Sequence, residues 1–313
     1  MRELVHSMAR EVRKVVIGQD EVVELVLAAV MVGGHVLIEG VPGTAKTTLA
    51  NAISKSMAVS FKRVQFTPDT SPTDITGGIG PGMLGMTFHK GPIFANMLLA
   101  DEINRTPPHV QAALLEAMQE RQVTVASETH SLPDPFIVVA TQNPIDQEGT
   151  WPLLEAQLDR FLFKLNMDYP SETDERLILQ LRHHGVAPAT LLDVHTTVMG
   201  TDLLEARNIV DSTSVPPEVI AYAVSVIRRT REMPSVVLGA SPRAAVHLLA
   251  AAKAKARIDD RDHVLADDIT HMTLPVLRHR LILTPEVLAE GYTPDDVLWE
   301  VLASLPAPTG RGL

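Results

Sequence analysis

The chain has 313 residues, of which 45% are hydrophobic and 21% are charged, and its formal net charge is −11. These proportions are typical of a globular protein with a substantial core, and the length allows one large domain or two smaller ones. The acidic balance argues against a broad nucleic-acid-binding surface. Because the sequence contains no cysteine, disulfides, thiolate nucleophiles and cysteine zinc sites are excluded.

Two segments bear on where the protein is located. The N-terminal residues 1–3 lack the basic and then apolar layout of a signal peptide. The most apolar stretch, residues 22–32, is interrupted by Glu24 and is far shorter than the about 20 residues that a spanning helix needs. We therefore expect no membrane span and a cytoplasmic protein.

The first part of the chain alternates predicted helices with predicted strands. Apolar residues at helical spacing predict an amphipathic N-terminal helix and a second helix at 20–31. A short apolar run at 35–39, bounded by glycines, is typical of a buried parallel strand. A helical pattern follows at 46–57, and a second strand is predicted at 61–66.

Residues 67–92 interrupt this alternation. They are dense in Thr, Pro, Asp, Ser and Gly, which predicts a long irregular insert, and such inserts are more often functional than neutral. Beyond them the patterns predict a strand at 97–100, a helix at 107–120 that begins with proline, a hairpin within 121–132, and strands at 136–141 and 161–165.

The patterns change after residue 169. Only helical patterns with capping residues follow, including Ser241-Pro242 at the start of one helix. Alternating strands and helices followed by helices alone indicate a parallel α/β sheet with a helical domain attached. We predict a domain boundary there, with an α/β core at 1–169 and a helical domain at 170–313.

A glycine-rich segment, residues 40–47, lies between the strand at 35–39 and the helix that follows. In this context backbone N–H groups at a helix N-terminus face a polyphosphate, the side chain of Lys46 reaches the β- and γ-phosphates, and Thr47 ligates Mg²⁺. Ala45 stands where the general pattern has glycine, and we expect helical φ there, which alanine tolerates. The predicted nucleotide contacts in this segment are Gly40, Pro42, Gly43, Thr44, Ala45, Lys46, Thr47 and Thr48.

Two carboxylates end the strand at 97–100. Asp101 would lie at the carboxyl edge of the sheet, beside the glycine-rich loop, where it can hold the water shell of Mg²⁺. Glu102 would act as the general base that polarises an attacking water. Asn143 follows the strand at 136–141, and an amide at that edge can orient the same water.

Two arginines further along the chain, Arg160 and Arg243, are candidate site residues. Arg160 ends a short helical stretch, where an arginine by itself is more typical of a surface ion pair. Arg243 follows Ser241-Pro242 and so lies at a helix N-terminus, where the helix dipole disfavours a cation by up to ~1 kcal/mol. A cation tolerated at that position often has an anion in front of it, and a phosphate would serve.

Taken together, these segments resemble the MoxR family of AAA+ ATPases and, more distantly, the ATPase subunit of magnesium chelatase. The resemblance covers nearly the whole length of the chain. Its most specific segments are 40–47, 65–69, 91–94, 99–105, 111–118, 155–161 and 241–244.

The resemblance implies a role for each matching position. These roles are Walker A for Lys46 and Thr47, Walker B for Asp101 and Glu102, sensor 1 for Asn143, the arginine finger for Arg160, sensor 2 for Arg243, and contact near the adenine for Ile17 and Gly18. It also marks 67–92 as the helix-2 insert and 121–132 as the pre-sensor hairpin. The insert departs from the family pattern, because its glycine-rich part has a single aromatic residue, Phe88.

The family implies Mg²⁺-dependent hydrolysis of ATP to ADP and phosphate within a ring of identical subunits, expected to be a hexamer. It also implies a chaperone-like remodeller for assembly, maturation or cofactor insertion in client complexes, beside a von Willebrand factor A domain protein. A nucleic-acid motor is an alternative, against which the acidic charge and sparse aromatics count. A scaffold that binds ATP with little turnover is another, and the intact Asp101-Glu102 pair weighs against it.

Overall fold

The structure, a computed structural model, describes residues 1–41, 43–82, 85–143, 149–183 and 191–308. The strands are β1 (Val36–Gly40), β2 (Phe61–Gln65), β3 (Gly77–Gly82), β4 (Gly85–Lys90), β5 (Met97–Asp101), β6 (Gln122–Val125), β7 (Glu128–Ser131), β8 (Ile137–Gln142), β9 (Phe163–Met167), β10 (Val236–Leu238) and β11 (Ile282–Leu283). The α-helices are α1 (Arg2–Arg13), α2 (Asp20–Val32), α3 (Lys46–Ser56), α4 (Pro72–Thr76), α5 (Pro108–Glu120), α6 (Glu155–Leu158), α7 (Glu172–His183), α8 (Gly200–Asp211), α9 (Pro217–Glu232), α10 (Pro242–Ile258), α11 (Ala266–Leu277), α12 (Pro285–Ala289) and α13 (Pro294–Ala303).

The central sheet has five strands in the order β2-β5-β8-β1-β9, and every neighbouring pair is parallel. The carboxyl ends of all five strands therefore meet at one edge, which is where ligands bind in open α/β sheets. The predicted strands agree with the observed ones to within two residues. The last strand of this sheet begins at Phe163 rather than at 161, because its partner β1 begins at Val36, which pairs with Phe163.

Side chains alternate across the sheet and divide the core in two. On β1, Val36 and Ile38 pack in one cluster of buried apolar residues, while Leu37 packs in the other. The first cluster also contains α1, α2 and most of the C-terminal helices, so the N-terminal and C-terminal helices share one core with one face of the sheet. The second cluster includes apolar residues of α5 and, from the insert, Ile75 of α4.

The insert at 67–92 is more ordered than its composition indicates, so the expectation of an irregular segment is wrong. It forms the short helix α4 and the antiparallel pair β3–β4, in which Ile79 lies opposite Phe88. The ring of Phe88 stacks on His130 of the β6–β7 hairpin, with 4.2 Å between ring centroids. Backbone pairing does not need large side chains, which explains how a glycine-rich segment forms a ladder.

Helices dominate the chain after β9, but the expectation of helices alone needs a correction. Strands β10 and β11 pair as a short antiparallel ribbon, which local patterns cannot reveal because the partners lie more than 40 residues apart. Ser241 caps α10 as predicted, since its hydroxyl accepts from the N–H of Ala244 at 3.3 Å. Within the described residues, no helix is long and apolar enough to cross a membrane. The division of the chain at residue 169 stays a prediction.

Candidate nucleotide site

The glycine-rich loop connects β1 to α3, and two glycines fix its path. A Cβ atom on Gly40 would lie 2.4 Å from the carbonyl oxygen of Met167, so any larger residue would push β9 away. Gly43 has φ +88°, a backbone conformation that side-chain-bearing residues rarely adopt. The loop therefore turns tightly into the N-terminus of α3, where backbone N–H groups form an anion-binding end.

The remaining predicted loop contacts lie around that helix N-terminus. The hydroxyl of Thr44, which is buried, donates to the carbonyl of Val41 at 3.0 Å and braces the turn. Thr47 and Thr48 fall in the first turn of α3, which begins at Lys46. Pro42, a further predicted contact, lies outside the described residues.

Ala45 corrects one expectation. It precedes the first helical residue and has φ 65° and ψ 23°, so it is left-handed rather than helical. The chain has to reverse direction at this point to enter α3, and the general pattern places glycine there for that reason. A left-handed alanine costs on the order of 1–2 kcal/mol, so this loop stores strain next to the phosphate-binding end.

The side chain of Lys46 folds back over the loop. Its ammonium donates to the carbonyl oxygens of Gly40 and, at 3.2 Å, of Val41. Burial lowers the pKa of Lys46, while the nearby charges of Asp101 and Glu102 act in the opposite direction. Lys46 therefore lies within electrostatic reach of both predicted carboxylates, and its present partners are neutral carbonyls, which bind a cation less strongly than a phosphate does.

Asp101 ends β5 and is held on both sides. One carboxylate oxygen accepts from the guanidinium of Arg63 at 2.6 and 3.1 Å, and the other accepts from the hydroxyl of Thr141 at 2.6 Å. Arg63 and Thr141 belong to β2 and β8, the two strands that flank β5. The sequence pattern predicts neither contact, because only the order of the strands reveals which side chains meet Asp101.

Glu102 follows Asp101 in a left-handed conformation, with φ 59° and ψ 49°. Its backbone N–H donates to the hydroxyl of Thr141 at 2.9 Å, and its carboxylate accepts from the amide of Gln65 at 2.7 Å. Arg105 forms an ion pair with the same carboxylate at 3.3 Å. A single hydroxyl, that of Thr141, thus fixes both predicted acidic residues at the carboxyl edge.

Three more predicted site residues, Asn143, Ile17 and Gly18, lie at or beside the same edge. Asn143 follows β8, which is flanked by the strand that leads into the loop and the strand that ends in Asp101, and its side chain is largely buried. Gly18, with Ile17 before it, lies in the turn between α1 and α2. Gln19 of that turn donates to the carbonyl of Asp168 at 2.9 Å, next to the strand end that packs on Gly40.

The edge suits a nucleotide with Mg²⁺. The helix N-terminus and Lys46 offer donors to phosphate. Apart from Gly43 and its two chain neighbours, no atom of the described residues lies within 4 Å of the position that a Cβ on Gly43 would take. The hydroxyl of Thr47 and the carboxylate of Asp101 are hard oxygen ligands, which Mg²⁺ prefers. Among the described residues no group of three His, Cys, Asp or Glu side chains forms a metal site, and Mg²⁺ sites in nucleotide-binding proteins typically use one or two carboxylates plus phosphates.

Arg160 and Arg243 lie at the opposite edge of the sheet. They line a cavity of about 280 Å³, together with Gly34 and His35 at the start of β1. We call it the arginine cavity. Strand β1 has five residues, so it separates this cavity from the glycine-rich loop by about 16 Å. The structure brings the two predicted arginines together but does not bring them to the phosphate-binding loop of the same chain.

The positive charge that the arginine cavity offers to a ligand comes from Arg160 and Arg243, since its histidines are neutral and Arg121 already binds two carbonyls. Burial lowers the pKa of His35 to about 3 and that of His247 to about 4, so both are neutral near pH 7. Arg121 donates to the carbonyls of Phe136 and Gly33. Among the described residues neither Arg160 nor Arg243 takes part in an ion pair. Their two guanidinium groups can therefore bind an anionic group of another molecule.

Comparison with known proteins agrees with this architecture. Residues 35–163 match the ATPase family associated with various cellular activities (AAA), and residues 228–301 match the AAA lid domain. The parallel sheet, the loop before α3 and the helical C-terminal part define the chain as an AAA+ ATPase with a lid.

Relatives over the whole length specify the family. The chain is 42% identical to Chaperone MoxR1 of Mycobacterium tuberculosis, over 97% of this chain and 83% of that protein. It is 41% identical to the uncharacterized protein YeaC of Bacillus subtilis, over 99% and 97% of the two chains. A crystal structure of a candidate ATPase from Cytophaga hutchinsonii superposes with a TM-score of 0.90 at 38% identity, covering 98% of this chain and 96% of the other. The chain belongs to the MoxR family of AAA+ ATPases.

Proposed function

We propose that the chain hydrolyses Mg²⁺-bound ATP to ADP and phosphate at sites that each need two neighbouring subunits. The observation that carries the proposal is the separation of the predicted groups. Lys46, Asp101 and Glu102 lie at the carboxyl edge of the sheet, while Arg160 and Arg243 line the arginine cavity at the amino edge. In a ring, the amino edge of one subunit would face the carboxyl edge of the next.

The carboxyl edge would bind the nucleotide. Backbone N–H groups at the start of α3 and the ammonium of Lys46 would hold the phosphates, with Ile17 and Gly18 near the adenine. Thr47 and Asp101 would hold Mg²⁺, which neutralises charge on the phosphates when it is bound. Because the ammonium of Lys46 now contacts two backbone carbonyls, phosphate binding would exchange these contacts for charged ones.

The chemical step would use Glu102 and the neighbouring subunit. The carboxylate of Glu102 would take a proton from the water that attacks the γ-phosphorus, with Asn143 orienting that water, while the bond to the ADP oxygen breaks. Arg160 from the adjacent subunit would stabilise the charge that develops on the transferred group. Arg243, in the same cavity, would contact the same nucleotide and so link its state to the lid.

The proposed biological role is that of a chaperone-like remodeller. Membership of the MoxR family and the similarity to Chaperone MoxR1 support this role. We propose a hexameric ring that acts on client complexes during assembly, maturation or cofactor insertion, together with a von Willebrand factor A domain protein. A pull-down with the Glu102→Gln variant in ATP tests this part. Recovery of nucleic acid, or ATPase activity stimulated by DNA, would favour the nucleic-acid motor instead.

Mixing two inactive variants tests the shared site. Arg160→Ala and Glu102→Gln should each lose ATPase activity when assayed alone. After random one-to-one mixing, about a quarter of the interfaces would pair an intact Glu102 with an intact Arg160, so phosphate release should return. Arg176→Ala, which removes an exposed arginine on α7, is the matched control and should keep wild-type activity.

Two outcomes would contradict the proposal. Full activity of purified Arg160→Ala would show that hydrolysis does not need the arginine cavity. A mixture that stays inactive, although both variants assemble with each other, would show that the two residues do not serve one site from different subunits.

A further inference from the structure

Arg280 is a buried cation that none of the roles above uses. It follows α11, and only 2% of its side chain is exposed. Its guanidinium donates to the carboxylate of Asp159 at 2.8 Å, to the carbonyl of Phe161 at 2.6 Å and to Nδ1 of His247 at 2.6 Å. The guanidinium also lies within hydrogen-bond distance of the carbonyls of Asp159, Leu162 and Val276. Its hydrogen-bonding groups are therefore engaged from several directions at once.

Apart from Val276, which belongs to α11, these partners belong to the two segments that carry the arginines of the arginine cavity. Asp159 immediately precedes Arg160, and residues 159–162 lead into β9. His247 lies one turn after Arg243 on α10. Ser241, the cap of α10, adds a contact between the same segments, because its hydroxyl lies 3.4 and 3.5 Å from the two carboxylate oxygens of Asp159. Arg280 thus connects the segment of Arg160 to the helix of Arg243.

The bond to His247 also fixes how that ring is protonated. A guanidinium can only donate, so Nδ1 of His247 must be the acceptor. Burial, with the charge of Arg280 second, lowers the pKa of His247 to about 4, so the ring is neutral and carries its proton on Nε2. The contact between Arg280 and α10 therefore persists near pH 7, with a defined orientation of the ring.

Arg280 does not line the arginine cavity but contacts residues of the segments that do. Arg160, Arg243 and His247 line the arginine cavity, whereas Arg280 lines a different cavity, of about 500 Å³, on the other side of Asp159. A buried ion pair by itself is weak support for stability, because desolvation offsets much of the attraction. The planar guanidinium fork, in contrast, sets distances and angles between its partners more strictly than an ammonium can.

We propose that Arg280 is a positioning residue that holds Arg160 and Arg243 as one unit across the boundary between the sheet and the lid. The inference rests on the proposed function, because it assigns the pair of arginines to a neighbour's nucleotide. Arg280 touches neither that nucleotide nor the reacting atoms. It keeps both guanidinium groups at the spacing that one phosphate group requires.

Steady-state kinetics of Arg280→Met and Arg280→Lys give the first test. We expect kcat to fall by roughly 10- to 100-fold in Arg280→Met, since a displacement of about 1 Å can cost 10²-fold in rate. KM for ATP should change by less than about twofold, because the loop and Lys46 lie at the other edge of the sheet. Arg280→Lys should recover only part of kcat, since an ammonium cannot make the same set of contacts.

Arg261→Met is the matched control. Arg261 also belongs to the lid and forms a two-pronged ion pair with buried Asp268, at 2.6 and 2.7 Å. Its other contacts lie at the C-terminal end of α10 and at His263, far along the chain from Arg243 and His247 and outside residues 159–162. Its loss should lower the melting temperature without changing kcat. An equal fall of kcat in Arg261→Met and Arg280→Met would overturn the proposal, because any damage to the lid would then explain both.

Rings assembled from two variants distinguish the loss of positioning by Arg280 from a general loss of structure. Arg280→Met keeps an intact carboxyl edge, so mixing it with Glu102→Gln should restore phosphate release. Mixing it with Arg160→Ala should restore nothing, because both variants lack the same half of the site. If Arg160→Ala and Glu102→Gln complement each other but Arg280→Met and Glu102→Gln do not, the role of Arg280 is wrong while the shared site stands. If neither mixture recovers, the proposed function itself fails.

A second variant covers the case in which Arg280→Met does not fold. Asp159→Asn keeps the shape of the carboxylate but replaces a charge-assisted hydrogen bond with a neutral one of about half the strength. We expect a fall in kcat of roughly 3- to 10-fold with unchanged KM, again complemented by Glu102→Gln. Wild-type kcat in folded Asp159→Asn would contradict the proposal.

Discussion

The two edges of the central sheet differ in how their charges are satisfied. At the carboxyl edge, Asp101 pairs with Arg63, Glu102 pairs with Arg105, and Lys46 contacts carbonyls of its own loop. At the amino edge, the guanidinium groups of Arg160 and Arg243 face a cavity without a carboxylate partner among the described residues. The charged groups at the carboxyl edge have partners within the chain. The two arginines at the amino edge could instead pair with an anion of another molecule.

Strand β1 therefore has different groups at its two ends: the glycine-rich loop at the carboxyl end and the arginine cavity at the amino end. The carboxyl edge is assembled from neighbouring strands, so its geometry is set when the sheet forms. The arginine cavity is assembled between the sheet and the lid, and its geometry depends on contacts such as those of Arg280. Variants that affect one edge should therefore change different measurable quantities from variants that affect the other.

The largest effect should come from Glu102→Gln at the carboxyl edge. A glutamine keeps the hydrogen bond with Gln65 but cannot take a proton, so kcat should fall by about 10²- to 10⁴-fold. Affinity for ATP should stay near the wild-type value, because Lys46 and the loop are unchanged. Phosphate release and calorimetric titration with ATP measure the two quantities. Normal turnover would remove Glu102 from its role, and Glu128→Gln, on the exposed strand β7, is the control.

Thr141→Val tests whether one hydroxyl holds both acidic residues. The substitution keeps the shape but removes the donor to Asp101 and the acceptor of the Glu102 N–H, at a cost of about 1–3 kcal/mol in the free energy of unfolding. We also expect a lower kcat, because Glu102 loses the contact that fixes its backbone. Thr273→Val, a buried threonine of the lid, should lose stability alone. Unchanged kcat in Thr141→Val would show that Glu102 is positioned by other contacts.

Lowering the pH should reduce the free energy of unfolding, because His35 is buried at the amino edge in its neutral form. In the folded chain burial, with the charge of Arg121 second, lowers the pKa of His35 to about 3, whereas an unfolded histidine titrates near 6.5. Between these values the unfolded chain binds a proton that the folded chain does not, so stability falls as the pH falls. From pH 7.5 to pH 5 the contribution of His35 to the free energy of unfolding should drop by about 2 kcal/mol.

His35→Gln isolates that contribution. A glutamine can replace both hydrogen bonds of the ring, accepting from the N–H of Val138 and donating to the carbonyl of Met118, but it does not titrate. Urea unfolding at several pH values should therefore show a flatter pH dependence for His35→Gln than for the wild type. Parallel curves for the two proteins would show that His35 does not stay neutral when buried.

The smallest effect is expected for Ala45→Gly. Glycine removes about 1–2 kcal/mol of left-handed strain but adds about 0.4–1 kcal/mol of conformational freedom to the unfolded chain. The net gain in the free energy of unfolding should be about 0–1.6 kcal/mol, measurable by urea unfolding. A clear loss of stability would indicate that the left-handed conformation of Ala45 costs little here.

Local patterns predicted those parts of the site that lie at strand ends. Asp101 ends a strand, Asn143 directly follows one, and Lys46 follows a short loop after one, and parallel strands bring such positions to one edge. The partners that hold them were not predictable in this way. Arg63 reaches Asp101 only because β2 happens to lie beside β5, and a single sequence does not state that order.

The sequence patterns also predicted the wrong backbone conformation in two places, at Ala45 and in the glycine-rich insert. Ala45 was expected to be helical because a helix begins at the next residue, but the chain turns there through a left-handed conformation. The glycine-rich insert was expected to be irregular, yet β3 and β4 pair along their whole length. In both cases the local residue preference was outweighed by what the flanking segments require.

The sequence by itself determined the class of chemistry: a phosphate-binding loop, two carboxylates after a strand, and two arginines far along the chain. These features depend on short segments whose local geometry follows from neighbouring residues. Only the tertiary structure decided that Arg160 and Arg243 share one cavity about 16 Å from the loop, and that Arg280 connects their segments. The reason is that strand order and helix packing bring together residues far apart in the chain, 121 positions for Asp159 and Arg280, and local patterns hold no record of those distances.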